Sequence, residues 1–143
     1  MVDALCRAAR WVKPSPACVI DLRPADVVAD VEVGCVEGTV LRAGGLVVRA
    51  ERRARHAAAD AALRTALARG VLTVVDEEEF SFYRYPASID ELRDYIATKW
   101  LDTQLDAVTY ARAVRLQQAN AGARLWLREQ VIIRRLYANP SMR

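Results

Sequence analysis

The chain has one histidine and three cysteines among its 143 residues, and these small numbers exclude several kinds of site. A metal site needs several histidine, cysteine or carboxylate ligands that converge, and His56 is the sole imidazole. Cys6, Cys18 and Cys35 are odd in number and include no C-x-x-C pair, which argues against a disulfide framework and a zinc cluster. We therefore expect no metal, and we interpret the cysteines as small buried hydrophobic residues.

Catalytic and cofactor motifs are also missing. Serine or cysteine catalysis of the usual kind would have to use His56, and no G-x-S-x-G motif is there to expose a nucleophile. A phosphate or dinucleotide site needs glycines that open a helix after a strand, whereas Gly34, Gly38, Gly44 and Gly45 lie between strand-like segments. The sequence predicts no cofactor, and it favours a protein that is not an enzyme.

A strong charge of one sign and a long apolar run are absent too. The net charge of +3 comes from 21 basic and 18 acidic residues, and the cluster at Arg52, Arg53 and Arg55 has no aromatic residue between its members. Both features argue against a nucleic-acid partner. No apolar run approaches the roughly 20 residues that cross a bilayer, and the first seven residues lack the order of a secretion signal. We expect no membrane partner and a cytoplasmic location.

What the chain does have is an aliphatic majority, since 53% of its residues are hydrophobic and only 7% are aromatic. At this length a single domain can bury roughly two-thirds of its unfolded surface, so no disulfide or metal is needed to hold it together. We find no internal repeat and no linker, and we predict one domain over residues 1–143.

The most orderly segment begins with two strand-like runs, 71–75 and 80–85, which are rich in β-branched and aromatic residues and end at Pro86. Ser88 and Glu91 then fit a capping box, in which each satisfies a backbone N–H of the other. Apolar residues follow at steps of three and four: Ile89, Leu92, Ile96 and Trp100. This segment predicts strands followed by a helix that packs on the sheet.

The N-terminal third predicts a helix and several strands. Apolar residues at helical spacing predict a first helix that stops at Lys13-Pro14-Ser15-Pro16. The run 17–22 has the length of a strand buried on both faces. Residues 28–33 alternate, which predicts a strand with Asp30 and Glu32 on its solvent face.

The remainder alternates between strands and helices. Strand-like residues flank Gly44 and Gly45, which predicts a hairpin there and an antiparallel meander over 28–49. Residues 50–69 predict a helix capped by Gly70, and 106–120 predict another. Residues 123–136 alternate as a long final strand. The fold class is therefore α+β: a largely antiparallel sheet of five to six strands with helices on one face.

Two surfaces are candidates for function. Tyr83, Tyr85, Trp100 and Trp126 can line a small-molecule pocket, with Glu77 or Glu79 as acid or base, or they can simply fill the space between helix and sheet. The glutamates can equally protect a strand edge. On the last strand, apolar residues lie between arginines: Trp126, Ile132 and Leu136. A twin subunit would cover them, so we predict a twofold homodimer.

Three parts of the chain carry a family resemblance. The segment 5–22, which includes W-V-K-P-S-P-A-C-V-I-D-L at 11–22, is similar to a helix, an L-K-P-G-G turn and a strand, with Ser15 and Pro16 in place of glycines. Residues 80–83 and 125–136 are similar to a last pair of strands, and 88–100 to a helix between them. In this order they resemble the C-terminal half of class I S-adenosylmethionine-dependent methyltransferases.

This resemblance implies a form without the catalytic half. In that family the cofactor binds upstream, at a strand followed by a D-x-G-x-G-like loop and an acidic residue. Residues 30–34, D-V-E-V-G, are the nearest approach here, but no helix is predicted after Gly34. No site residue is therefore transferred.

Three functions remain open on the sequence. The first is a homodimeric interaction or accessory protein, with a further protein partner possible. The second is a small-molecule-binding protein or enzyme with a pocket on the sheet. The third is a methyltransferase-like fragment that works with a separate cofactor-binding chain.

Overall fold

The computed structural model of the chain describes residues 2–11, 18–25 and 28–139. The predicted stop of the first helix at residues 13–16, and with it the turn of the methyltransferase resemblance, lies outside this part. Four helices and seven strands occur in the described part, in the order α1 Val2–Trp11, β1 Val19–Pro24, β2 Asp30–Gly34, β3 Val40–Gly45, β4 Val47–Val48, α2 Ala50–Ala68, β5 Leu72–Arg84, α3 Ile89–Lys99, β6 Thr103–Gln104, α4 Ala107–Ala119 and β7 Arg124–Ala138.

The main sheet has five strands, and β7 is its centre. The strand order is β1-β7-β2-β3, and β5 also pairs with β7. β7 runs antiparallel to β1, with Val19 opposite Leu136, and antiparallel to β2, with Gly34 opposite Arg124. β2 and β3 are antiparallel, and β4 and β6 form a separate two-stranded ribbon. The predicted α+β class, with a largely antiparallel five-stranded sheet and helices packed against it, is confirmed.

The chain divides into two compact units. The first unit contains Met1–Ala25, Arg53–Phe80 and Val131–Arg143, and the second contains Asp26–Arg52 and Ser81–Gln130. β5 and β7 each contribute residues to both.

The core of the first unit joins two helices to three strands. Its buried residues come from α1, α2, β5 and β7, and Val19 of β1 packs against them: Ala9, Leu63, Ala66, Leu72 and Leu136. Leu136 is fully buried, so the expectation that it lies on an exposed outer face is wrong. In contrast, Ile20 and Leu22 of β1 are 54% and 59% exposed, because only alternate residues of this strand face the core. The prediction of a strand buried on both faces is therefore wrong as well.

The core of the second unit is larger. It packs α3 and α4 against β2, β3 and β7 through Ala29, Val31, Val33, Ala43, Leu46, Ile89, Leu92, Ile96, Ala113, Leu125 and Leu127. α3 starts as predicted, with Ser88 accepting from the Glu91 N–H at 3.1 Å. The Glu91 carboxylate accepts from the Ala87 N–H at 2.5 Å and not from Ser88, so only half of the predicted capping box forms.

The glycine pair at 44–45 does not make the predicted hairpin. Both glycines belong to β3. The connection from β2 to β3 turns at Cys35 to Thr39, close to the turn that the sequence predicts at Gly34 to Gly38, and there the Cys35 N–H donates to the Thr39 carbonyl at 2.7 Å. A Cβ on Gly44 would lie 2.3 Å from the Thr109 hydroxyl oxygen. Glycine is needed there because α4 packs closely on β3, not because the chain turns.

Candidate functional site

Three of the predicted pocket residues form an aromatic cluster in the second unit. Tyr83 and Tyr85 point the same way because they are two residues apart on an extended chain, and Trp126 stands on β7, the partner of β5. The two tyrosine rings are stacked with centroids 6.2 Å apart, and Trp126 meets them edge-on at 6.4 and 6.1 Å. We call Tyr83, Tyr85 and Trp126 the aromatic cluster.

This cluster is open to solvent. Tyr85 is 67% exposed and Tyr83 is 39% exposed, while Trp126 is half-buried. Exposed aromatic rings in mutual contact are uncommon on a surface with no partner, because each ring leaves a large apolar area in water. The cluster is thus a candidate contact surface.

Two residues of β2, Gly34 and Glu32, fix the position of the Trp126 ring. A Cβ on Gly34 would lie 1.9 Å from a ring atom, so only glycine permits the indole to lie against β2. The indole Nε1 donates to Glu32 Oε2 at 2.8 Å. Packing and hydrogen bond together hold the ring in one orientation.

Four charged residues of the second unit, Asp30, Glu32, Arg42 and Arg128, form a network next to Trp126. Arg128 Nε donates to Glu32 Oε1 at 2.8 Å, and another guanidinium nitrogen donates to Asp30 at 3.1 Å. Arg42 donates to the other oxygen of Asp30 at 2.7 Å. The hydrogen bond to Glu32 raises the pKa of Arg128 although burial opposes it.

Glu32 was predicted on the solvent face of its strand and is instead buried, at 7% exposure. Trp126 and Arg128 cover its carboxylate, and both of its oxygens accept hydrogen bonds. A buried carboxylate is tolerated only when its oxygens are paired in this way. We call Asp30, Glu32, Arg42 and Arg128 the ion-pair network.

Trp100 makes different contacts from the other predicted pocket residues. Its ring lies 6.0 Å from that of Tyr95, and the Arg52 guanidinium stands 5.2 Å from its centroid. It is half-buried and packs against the core of the second unit. Trp100 therefore fills space beside the core, which is the alternative to pocket lining that the sequence left open.

Glu77 and Glu79 belong to the first unit. Glu77 accepts a hydrogen bond from Arg134 Nε, and Arg134 also donates to Asp21 at 3.1 Å. Burial lowers the pKa of Arg134, but the hydrogen bonds to Glu77 and Asp21 more than offset this and raise it. Glu79 is exposed, and its carboxylate has no hydrogen bond or ion pair with a described residue. Glu77 is therefore committed to an ion pair.

A second charged group, which sequence reasoning missed, involves Arg52, Arg84 and Glu129. Burial raises the pKa of Glu129, and the two arginines lower it without cancelling the effect. The Arg84 guanidinium lies 4.4 Å from the Tyr95 centroid, and its buried Nε has no acceptor in the part of the chain that the structure describes. The sequence did contain a signal that Glu129 is half-buried, because Glu129 lies two residues after Leu127 and four after Leu125 and so points to the same face of the strand.

A cavity of about 270 Å³ opens beside the aromatic cluster in the second unit. Tyr85, Pro86 and Ala87, from the connection between β5 and α3, form one side. Gln117 of α4 and the start of β7, from Ala123 to Leu125, form the rest. The predicted pocket and this cavity share only Tyr85.

The histidine and the cysteines lie apart from these features. His56 is half-buried on α2, and its imidazole makes no hydrogen bond or ion pair with a described residue. Cys6 and Cys18 are half-buried and Cys35 is buried, and all three are free thiols. Burial and the neighbouring Glu37 raise the pKa of Cys35, which keeps it protonated and unreactive.

Two absences in the described part of the chain concern metal ligands and membrane-spanning helices. Over 2–11, 18–25 and 28–139, no three histidine, cysteine or acidic side chains converge as ligands would. Within the same ranges no helix is long and apolar enough to cross a bilayer.

The chain was also compared with known proteins. No family model matches it, and neither a curated protein nor a solved structure is similar enough to count as a match.

Proposed function

We propose that this chain is a non-enzymatic interaction protein that pairs with a second copy of itself through the aromatic cluster. One observation carries the proposal: three aromatic rings are in mutual contact, two of them are exposed, and the third, Trp126, is held by a hydrogen bond to Glu32. Tryptophan, tyrosine and arginine are enriched at the centres of protein interfaces, because they bury much apolar area with few rotatable bonds.

Charge favours a second copy over a polyanion. The ion-pair network beside the cluster has two acidic and two basic residues, each bonded within the unit. Its net charge is zero, so two copies related by a twofold axis do not repel each other there. A nucleic acid would instead require a local excess of positive charge.

The interface proposed here differs from the one that the sequence suggested. Leu136 is buried in the first unit and Ile132 is half-buried, so neither supplies the exposed area. Of the three interface residues that the sequence suggested, only Trp126 is kept, and Tyr83 and Tyr85 replace Ile132 and Leu136. The second copy would cover these three rings, with the ion-pair network at the rim.

A catalytic role receives no comparable support. His56 has no acid or nucleophile bonded to it among the described residues, and Glu77 is held by Arg134. A general base must lie within hydrogen-bond reach of a proton that it removes, and it is usually oriented by a third group. No candidate from the sequence meets this requirement.

Two tyrosines with the same exposure allow a matched test. Tyr83 is 39% exposed in the aromatic cluster, and Tyr137, on the last strand, is 40% exposed. We expect light scattering to give the wild type and Tyr137→Ser twice the chain mass of 15.9 kDa, and Tyr83→Ser the mass of one chain. A wild type that stays monomeric at high concentration, or equal dissociation of both variants, would overturn the proposal.

The methyltransferase-like function and the cytoplasmic location stay predictions. The first requires a separate cofactor-binding chain, and a calorimetric titration with S-adenosylmethionine, with and without a co-purifying protein, tests it. Heat of binding in either arm would support the fragment hypothesis, and no heat in both arms would count against it.

A further inference from the structure

We infer that the cavity beside the aromatic cluster binds a small organic carboxylate. This goes beyond the proposed self-association, because it assigns a small-molecule ligand to a cavity whose lining residues, Tyr85 excepted, are not part of the aromatic cluster. The cavity lies between the connection from β5 to α3, the C-terminal half of α4 and the first residues of β7.

Two polar side chains at the cavity are available for a ligand. Arg124 and Gln117 both line it, and neither side chain makes a hydrogen bond or ion pair with a residue that the structure describes. Arg42 and Arg128 of the same unit, in contrast, form ion pairs with the carboxylates of Asp30 and Glu32. A guanidinium offers two parallel N–H groups that match the two oxygens of a carboxylate, and an amide can donate a further hydrogen bond.

The rest of the lining is apolar. The other lining residues are Tyr85, Pro86, Ala87, Ala123 and Leu125, whose side chains are apolar except for the Tyr85 hydroxyl. Apolar walls with a few polar groups are typical of small-molecule sites, in which the walls bind the body and the polar groups fix one end. The ligand should therefore have an apolar or aromatic body and one anionic end.

Size limits the ligand further. Water occupies about 30 Å³ per molecule in the liquid, so a cavity of about 270 Å³ has room for a single ring with a carboxylate. It lies below the range of roughly 300–1,000 Å³ that holds drug-sized ligands and cofactors, which excludes a dinucleotide.

Inorganic phosphate fits this site less well. The N-terminus of α3 lies next to the cavity, but its capping region is already bonded, since Ala87 N–H donates to Glu91 and Glu91 N–H donates to Ser88. Two N–H groups at this end of the helix, those of Ala87 and Glu91, are thus already used and do not donate to a phosphate. A phosphate would also leave the apolar walls without a partner.

Titration calorimetry with three probes tests the inference. We expect sodium benzoate to bind with a dissociation constant on the order of 1 mM, since small ligands of this kind have few atoms to contribute. Benzamide, which keeps the ring and lacks the charge, should bind at least tenfold more weakly, and so should inorganic phosphate, which keeps the charge and lacks the ring. No benzoate binding, or equal binding of benzoate and either comparison compound, would overturn the inference.

Two matched arginine variants locate the site. Arg124→Gln should weaken benzoate binding at least tenfold, whereas Arg112→Gln, an exposed arginine on α4 that does not line the cavity, should leave it unchanged. Equal effects of both variants would mean that benzoate binds by surface charge alone, which contradicts the inference. A third variant, Ala87→Leu, should abolish binding by filling the space.

The mass of the protein separates this inference from self-association. Arg124→Gln should keep twice the chain mass in light scattering, and Tyr83→Ser, which does not line the cavity, should keep its benzoate affinity. Either proposal can therefore fail while the other stands.

Discussion

Among the described residues, the most deeply buried acid of an ion pair lies in the second unit and not in the first, and it indicates where a binding surface is fixed. In the first unit, Arg134 bonds to Glu77, which is 53% exposed, and Arg23 bonds to Asp60, which is 39% exposed. In the second unit the central acid, Glu32, has only 9% of its side chain exposed and is covered by an indole. An exposed pair contributes little rigidity, whereas a buried and fully bonded acid fixes its neighbours.

The second unit also has the larger core cluster of buried residues. Among the described residues, the core cluster of the first unit has five buried members, and that of the second unit has eleven. A larger core tolerates less relaxation around a defect, because close-packed neighbours cannot move in to fill it. The second unit should therefore be the more rigid part, and its aromatic cluster the better preorganised surface.

The largest effect should come from truncating the two cores. Leu92→Ala removes a fully buried side chain from the second unit and should cost about 3–5 kcal/mol, whereas Leu63→Ala in the first unit should cost about 2–3 kcal/mol. Urea denaturation of both variants measures the difference. A greater loss for Leu63→Ala would reverse the ranking of the cores.

The ion pairs provide the next comparison. Glu32→Gln removes the charge that both donors use and leaves either Trp126 or Arg128 facing an NH2 group that cannot accept, so it should cost about 2–3 kcal/mol in this buried position. Glu77→Gln removes an exposed partner and should cost less than about 1 kcal/mol. Both values come from urea midpoints at neutral pH, and similar costs would show that burial makes no difference here.

Gly34→Ala should have a moderate effect. The new methyl group would occupy the position of the Trp126 ring, and moving a rigid, hydrogen-bonded indole should cost about 1–3 kcal/mol. In a Trp126→Leu background the same substitution should cost clearly less, because the clashing atoms are gone. If the cost is the same in both backgrounds, the ring does not require glycine at this position.

The smallest effect concerns pH. Burial raises the pKa of Glu129 above its ordinary value of 4.5, so the folded state holds this proton more tightly than the unfolded state does. Stability from this group is present below the ordinary pKa and is lost as the pH rises through the folded one. Glu129→Gln should thus be slightly more stable than the wild type at neutral pH, and urea midpoints should converge below pH 4.5. A variant that is less stable at neutral pH would contradict this sign.

Local signals were sufficient to predict much of the fold. The start of α3 at Ser88, the end of α2 before Gly70 and the long last strand each depend on neighbouring residues, and all three are present, although burial along the last strand alternates only near its two ends. Caps and alternation report backbone hydrogen bonds and faces that a short segment sets by itself.

Features that depend on distant residues could not be predicted in this way. Gly44 suggested a turn, but its role is to admit Thr109 from a helix more than sixty residues later. Glu32 was expected in solvent, and what buries it is Trp126 on a strand far along the chain. Similarly, the sequence brought Tyr83, Tyr85 and Trp126 together as aromatic residues, but it also included Trp100, which contacts Tyr95 and Arg52 instead.

Hydroxyl-radical footprinting at two protein concentrations tests the proposed interface most directly. If a second copy covers the aromatic cluster, oxidation of Tyr83, Tyr85 and Trp126 should fall severalfold in the concentrated sample, while oxidation of Tyr137 stays the same. Equal oxidation of the three cluster residues at both concentrations would contradict the proposed interface, as would a loss of oxidation at Tyr137 alone.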